Sequence, residues 1–107
     1  MQTDCVVVWT TISATTDSHK LASVLVAERL AACVNVLAQM ESIYRWKGEV
    51  QVDHERQLIM KTTAARVPAL KARLVQLHDY EVPEFIVMPV IDGSDAYLNW
   101  IRESIAG

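Results

Sequence analysis

The chain has 107 residues, a formal net charge of -3 from 13 acidic and 10 basic side chains, 51% hydrophobic residues, and only three glycines and three prolines. That length fits one domain spanning residues 1–107, and so apolar a composition excludes disordered, linker-like and collagen-like architectures. The bases are scattered rather than striped, which argues against a nucleic-acid partner.

The first apolar run, "CVVVWT" from Cys5, is far shorter than a membrane span or a signal-peptide core, and a cytoplasmic protein is expected. Being β-branched and apolar throughout, it predicts a central strand covered on both sides. Thr15 or Thr16 can cap a following helix, with Leu21, Val24, Leu25 and Leu30 near one face and Asp17 close to the positive N-terminus.

"CVNVLAQMESIYRW" and "EVQVDHERQLIMKTT" flank Lys47-Gly48, the pattern of a two-residue hairpin turn. Pairing Trp46 with Glu49 sets Tyr44 against Gln51, Glu41 against His54, Val36 against Ile59 and Val34 against Lys61. The apolar parity then fails between Val36 and Ile43, and a bulge near Gln39 or Met40 is expected to restore it. "ARVPALKARLVQLH" predicts a second helix carrying Val67, Leu70, Leu74 and Leu77, with Pro68 in its first turn and its end near His78. "HDYEVPE" (78–84) connects it to a strand, "EFIVMPV", where Pro89 suggests an edge or a bulge. Ser94 caps a last helix with Tyr97, Leu98, Ile101 and Ile105.

The order β-α-β-β-α-β-α is that of an α+β, ferredoxin-like split β-α-β sandwich with two helices on one face of an antiparallel sheet. The other face stays open. Together with Tyr44, Trp46, Trp100 and a long hairpin, it would leave a larger apolar patch than monomers usually expose, so self-association is expected. No nucleophile elbow, phosphate loop, HExxH or paired CxxC is present, and an enzyme is not expected.

"ERLAACVNV", "SIYRWKGEV", "LIMKTT", "HDYEVPE" and "YLNWI", in this order and at these intervals, resemble the CutA divalent-cation-tolerance family over nearly the whole chain. The resemblance implies a tightly packed homotrimer in which the long hairpins of neighbouring subunits pair, and a link to tolerance of copper and other divalent ions. It also brings an analogy of architecture with trimeric nitrogen-regulatory signalling proteins, which bind effectors in clefts between subunits.

Two candidate sites follow. The resemblance nominates His78 for copper(II) or another divalent metal; by ligand chemistry the Asp79 carboxylate could serve as an alternative ligand and the Cys33 thiolate as a soft one favouring Cu(I). The sequence departs from the copper-associated pattern at Leu77, where some members carry a second His, at Thr10, where some carry a Cys, and at Asp79, which replaces a Pro. His78 also suits the negative end of a helix, and Cys33, after Ala31 and Ala32, suits burial. The second set is Tyr44, Trp46, Lys61, Tyr80, Glu81, Glu84 and Trp100, whose mixture of aromatics, one cation and carboxylates fits either a ligand cleft or an intersubunit interface. Two functions stay open: a metal-responsive trimer, and an effector-binding signalling or scaffolding trimer. No organic cofactor is expected.

Overall fold

A computed structural model describes residues 3–107 of the chain. The elements run β1 (Cys5–Ser13), α1 (Ser18–Ala27), β2 (Cys33–Val36), β3 (Met40–Trp46), β4 (Glu49–Thr63), α2 (Val67–Leu77), β5 (Ile86–Pro89) and α3 (Asp95–Ile105), with a 3-10 turn at Ala64–Arg66 before α2. The sheet order is β2-β4-β1-β5, with β3 continuing beside β4, and every pairing is antiparallel. This is the expected α+β sandwich.

β1 is central, between β4 and β5. Its even positions Val6, Val8, Thr10 and Ile12 are buried on the helix side, where Leu58 and Met60 of β4 meet Leu21 and Leu25 of α1 and Leu70 and Leu74 of α2. The odd positions Val7, Trp9 and Thr11 are only half-buried. Full cover on both sides is therefore found only at the Cys5 end, where α3 lays Leu98, Ile101 and Ile105 over Cys5 and Ala32. Among the described residues the rest of that face has no layer on it, and Pro89 lies in an edge strand paired only with β1.

Helix boundaries follow local chemistry. Asp17, rather than Thr15 or Thr16, caps α1 by accepting from the Lys20 N–H at 3.0 Å. A carboxylate both satisfies that donor and complements the dipole, which a threonine two residues upstream cannot do. Arg29 takes φ 59°, so α1 stops short of Leu30 and the chain turns into β2, held by the Thr62 hydroxyl on the Leu30 carbonyl at 2.8 Å. Ser94 caps α3 as expected, accepting from the Tyr97 N–H.

In the hairpin, Lys47 (φ 51°) and Gly48 (φ 82°) both adopt the left-handed conformation that a type I′ turn requires. Trp46 pairs with Glu49, Tyr44 with Gln51 and Glu41 with His54, as the turn dictates. Beyond the turn the register shifts by one. Val36 pairs with Leu58 and Val34 with Met60, not with Ile59 and Lys61. The extra residue lies in Leu37–Gln39, where the Leu37 N–H donates to the Gln57 carbonyl at 3.0 Å. The bulge moves Val34 and Val36 to the helix side and leaves Met40, Ser42, Tyr44 and Trp46 on the open face. β1 reaches only to Glu55 of β4, so among the described residues the outer part of β4 pairs with β3 alone, and the molecule, ribbon included, measures 44 × 29 × 24 Å. Ile43, 69% exposed, and its cross-strand partner Val52, 54% exposed, lie on the ribbon's other side.

Candidate functional site

The open face forms a cavity of about 550 Å³ where the ribbon leaves the sheet. Its floor is the alternate-residue row Asp53, Glu55 and Gln57 of β4 with Thr11 of β1, one wall is Met40, Ser42, Tyr44 and Trp46 of β3, and the other is Tyr80 to Glu84 of the α2–β5 connection. The period of two along β4 and the bulge in the facing arm are what turn these side chains the same way.

Three carboxylates are each held by a neutral donor. The Tyr44 hydroxyl donates to Asp53. The Tyr80 hydroxyl donates to Glu55 at 2.6 Å, and Gln57 Nε2 bridges the Thr10 carbonyl at 2.9 Å and Glu84 at 2.8 Å. Burial first, then the hydrogen bond to Glu55, holds the Tyr80 phenol well above its ordinary pKa. The bond to Asp53 pushes Tyr44 in the same direction. Both phenols therefore remain donors. No lysine, arginine or histidine lines the cavity among the described residues.

His78 anchors the wall. Its Nε2 lies 2.6 Å from the Thr11 carbonyl, which can only accept, and its Nδ1 accepts the Tyr80 N–H at 3.1 Å. Both ring nitrogens are engaged by backbone in the neutral Nε2–H tautomer. The ring also packs on Tyr80, with centroids 4.7 Å apart. Asp79 is exposed. Cys33 sits beside Lys61, which in turn faces Val7, four residues along β1 from Thr11 or about 13 Å at strand rise. The three metal candidates thus do not converge, and no group of three or more metal-ligating side chains occurs among the described residues. Both cysteines are free. The Cys5 thiol, under α3, is pushed up by burial and by Asp4, which leaves it inert.

Of the second set, Tyr44, Trp46, Tyr80, Glu81 and Glu84 meet in the cavity. Lys61 and Trp100 do not. They flank Tyr97 of α3, with Lys61 Nζ 5.6 Å and the Trp100 ring 5.4 Å from the Tyr97 ring centroid. Sequence reading missed Thr11, Asp53, Glu55 and Gln57. The hairpin register carries the signal for two of them, since Asp53 and Glu55 pair with Ser42 and Met40, two and four residues from Tyr44.

The family model described as CutA1 divalent ion tolerance protein matches residues 6–104. The divalent-cation tolerance protein CutA of Thermus thermophilus is 46% identical over 98 residues, covering 92% of this chain and 95% of that protein. The chloroplastic protein CutA of Arabidopsis thaliana is 42% identical over 99 residues, and there the chain spans only 54% of the relative's length. Among solved structures, CutA from Xylella fastidiosa superposes with a TM-score of 0.92 at 39% identity, covering 97% of this chain and 100% of that one. The Thermus thermophilus structure gives 0.89 at 45% identity, with 94% and 97% covered. With its fold, its hairpin and nearly all of its length matched, the chain belongs to the CutA1 divalent ion tolerance family.

Proposed function

We propose that this protein serves divalent-cation tolerance, the role in its relatives' names, as a cytosolic homotrimer that binds a small effector in the cavity and catalyses no reaction. The observation that carries this reading is the cavity itself. It lies on the uncovered sheet face, within the size range of ligand pockets, and combines aromatic walls with a few oriented polar groups. Trp9 lies on the same face, as do Ile86 and Met88, each about half exposed, so a partner subunit packed there would close the cavity's open side. The free thiols of Cys5 and Cys33 suit a reducing compartment.

The residues present do not fit a resident divalent ion, because His78 has no free ring nitrogen and Cys33 and Asp79 lie apart from it. A copper ion would have to displace the Tyr80 N–H to take Nδ1, or break both backbone hydrogen bonds to take Nε2. Calorimetric titration of wild type and His78→Ala with Cu(II) and Zn(II) tests this, and only weak heats common to both proteins are expected. One Cu(II) per chain that disappears in His78→Ala would return the metal to His78 and displace the effector reading.

A further inference from the structure

We propose that the cavity's ligand is a small organic cation, an ammonium or polyamine, and neither an anionic metabolite nor a bare metal ion; the inference rests on the cavity being a ligand site.

The lining has four carboxylates, on Asp53, Glu55, Glu81 and Glu84, and no basic side chain among the described residues. An anion would meet the negative charge of Asp53, Glu55 and Glu84, none of which is paired with a basic side chain among the described residues. Glu55 makes the bias strongest, since it is only 6% exposed and its sole hydrogen-bond partner among the described residues is the uncharged Tyr80 hydroxyl. A carboxylate so placed lacks the counter-charge that buried ions ordinarily have. Asp53, Glu55 and Glu84 each use one oxygen on a neutral donor, and the other oxygen takes no hydrogen bond among the described residues. Those free oxygens can accept from N–H groups.

The spacing argues against a metal. Asp53 and Glu55 alternate along one strand, roughly 6–7 Å apart at strand rise, with Gln57 between Glu55 and Glu84, so the carboxylates form a row and do not converge. A row suits several N–H donors spread along an extended molecule. Tyr44, Trp46 and Tyr80 add ring faces, which attract cations.

The fold contains its own precedent at the rim. The Lys47 ammonium stands 5.9 Å from the Trp46 ring centroid and 4.0 Å from a Glu81 oxygen, held between an indole and a carboxylate. That pair already has its cation. Glu55 and Glu84, which are less exposed, have none among the described residues.

The test is calorimetric titration of the full chain at low and at physiological ionic strength, with 1,4-diaminobutane, spermidine and tetramethylammonium as cations and citrate and ATP as anions. Glu55→Gln keeps the Tyr80 acceptor and Glu84→Gln lies nearer the rim, while Glu103→Gln removes the same charge from exposed α3. A cation should bind, more weakly in added salt, and each pocket variant should weaken it about ten-fold or more, with Glu103→Gln unchanged. If Glu55→Gln unfolds, Glu84→Gln carries the comparison alone. Binding of citrate or ATP without the cations would overturn the ligand class and leave the effector site standing. Binding of neither, by a chain that still assembles, would mean that the cavity is filled by a partner's side chains, and both readings would fall. Cation binding that Glu84→Gln leaves unchanged, or that Glu103→Gln weakens as much as Glu84→Gln does, would show general attraction to an acidic surface and would also overturn the proposal.

Discussion

Tyr80 joins the two halves of the site. Its amide is fixed by His78, its ring packs on the same imidazole, and its hydroxyl reaches Glu55 across the cavity floor. Because the phenol's pKa is raised in the fold, its contribution is fully present below the unfolded value of about 10 and is lost as pH rises toward the folded one. Wild-type stability should therefore fall above roughly pH 10, and Tyr80→Phe should show a shallower fall beside a lower plateau at neutral pH. Denaturant titrations across that range check the sign, and parallel curves for the two proteins would contradict the Tyr80–Glu55 coupling. At this scale the sequence was only partly legible. "HDYEVPE" announced a dense set of polar groups, but the occupation of both His78 nitrogens depends on the Thr11 carbonyl, 67 residues away in sequence. No local pattern encodes that distance.

The hairpin is the element on which the site depends. Its turn was readable because Lys47-Gly48 needs two left-handed residues and few dipeptides supply them. Nothing lies within 4 Å of a Cβ added at Gly48, so the cost of a side chain there is conformational. Gly48→Val should lose about 1–2 kcal/mol of stability from the positive φ alone, measured by chemical denaturation. A loss near zero would mean that the turn rearranges freely and does not set the register. The bulge was legible as a parity conflict between Val36 and Ile43, but the strand pairing beyond it was not. Counting back from the turn carries every residue one place too far once Leu37–Gln39 adds its extra member. Helix interiors came out of periodicity, whereas the start of α1 turned on which of three adjacent polar residues caps it.

Across the whole molecule, the sheet is covered on one face and at one end of the other, and the ribbon stands away from both layers. Ile43, Val50 and Val52 on its back, with Trp46 and Tyr44 on its front, are too apolar and too exposed for a lone chain. Trp46 is 38% exposed, with the Lys47 ammonium 5.9 Å from its ring centroid. A neighbour that covers this exposed remainder contributes a fraction of the roughly 1.5–3 kcal/mol of a fully buried large apolar side chain, and Trp46→Ala should weaken assembly more than it perturbs one subunit's fold. The open face was foreseeable from element order alone, because two crossover helices can cover only one side of the sheet. That α3 shields the Cys5 end and leaves the cavity at the other could not be read from its amphipathic pattern, which gives a buried face without naming the surface it meets. The most direct test of the account is sedimentation velocity of the wild-type chain, with Trp46→Ala alongside, from micromolar concentration through serial dilution. A trimer should persist in wild type and dissociate at higher concentration in Trp46→Ala. A folded monomer at every concentration would contradict it.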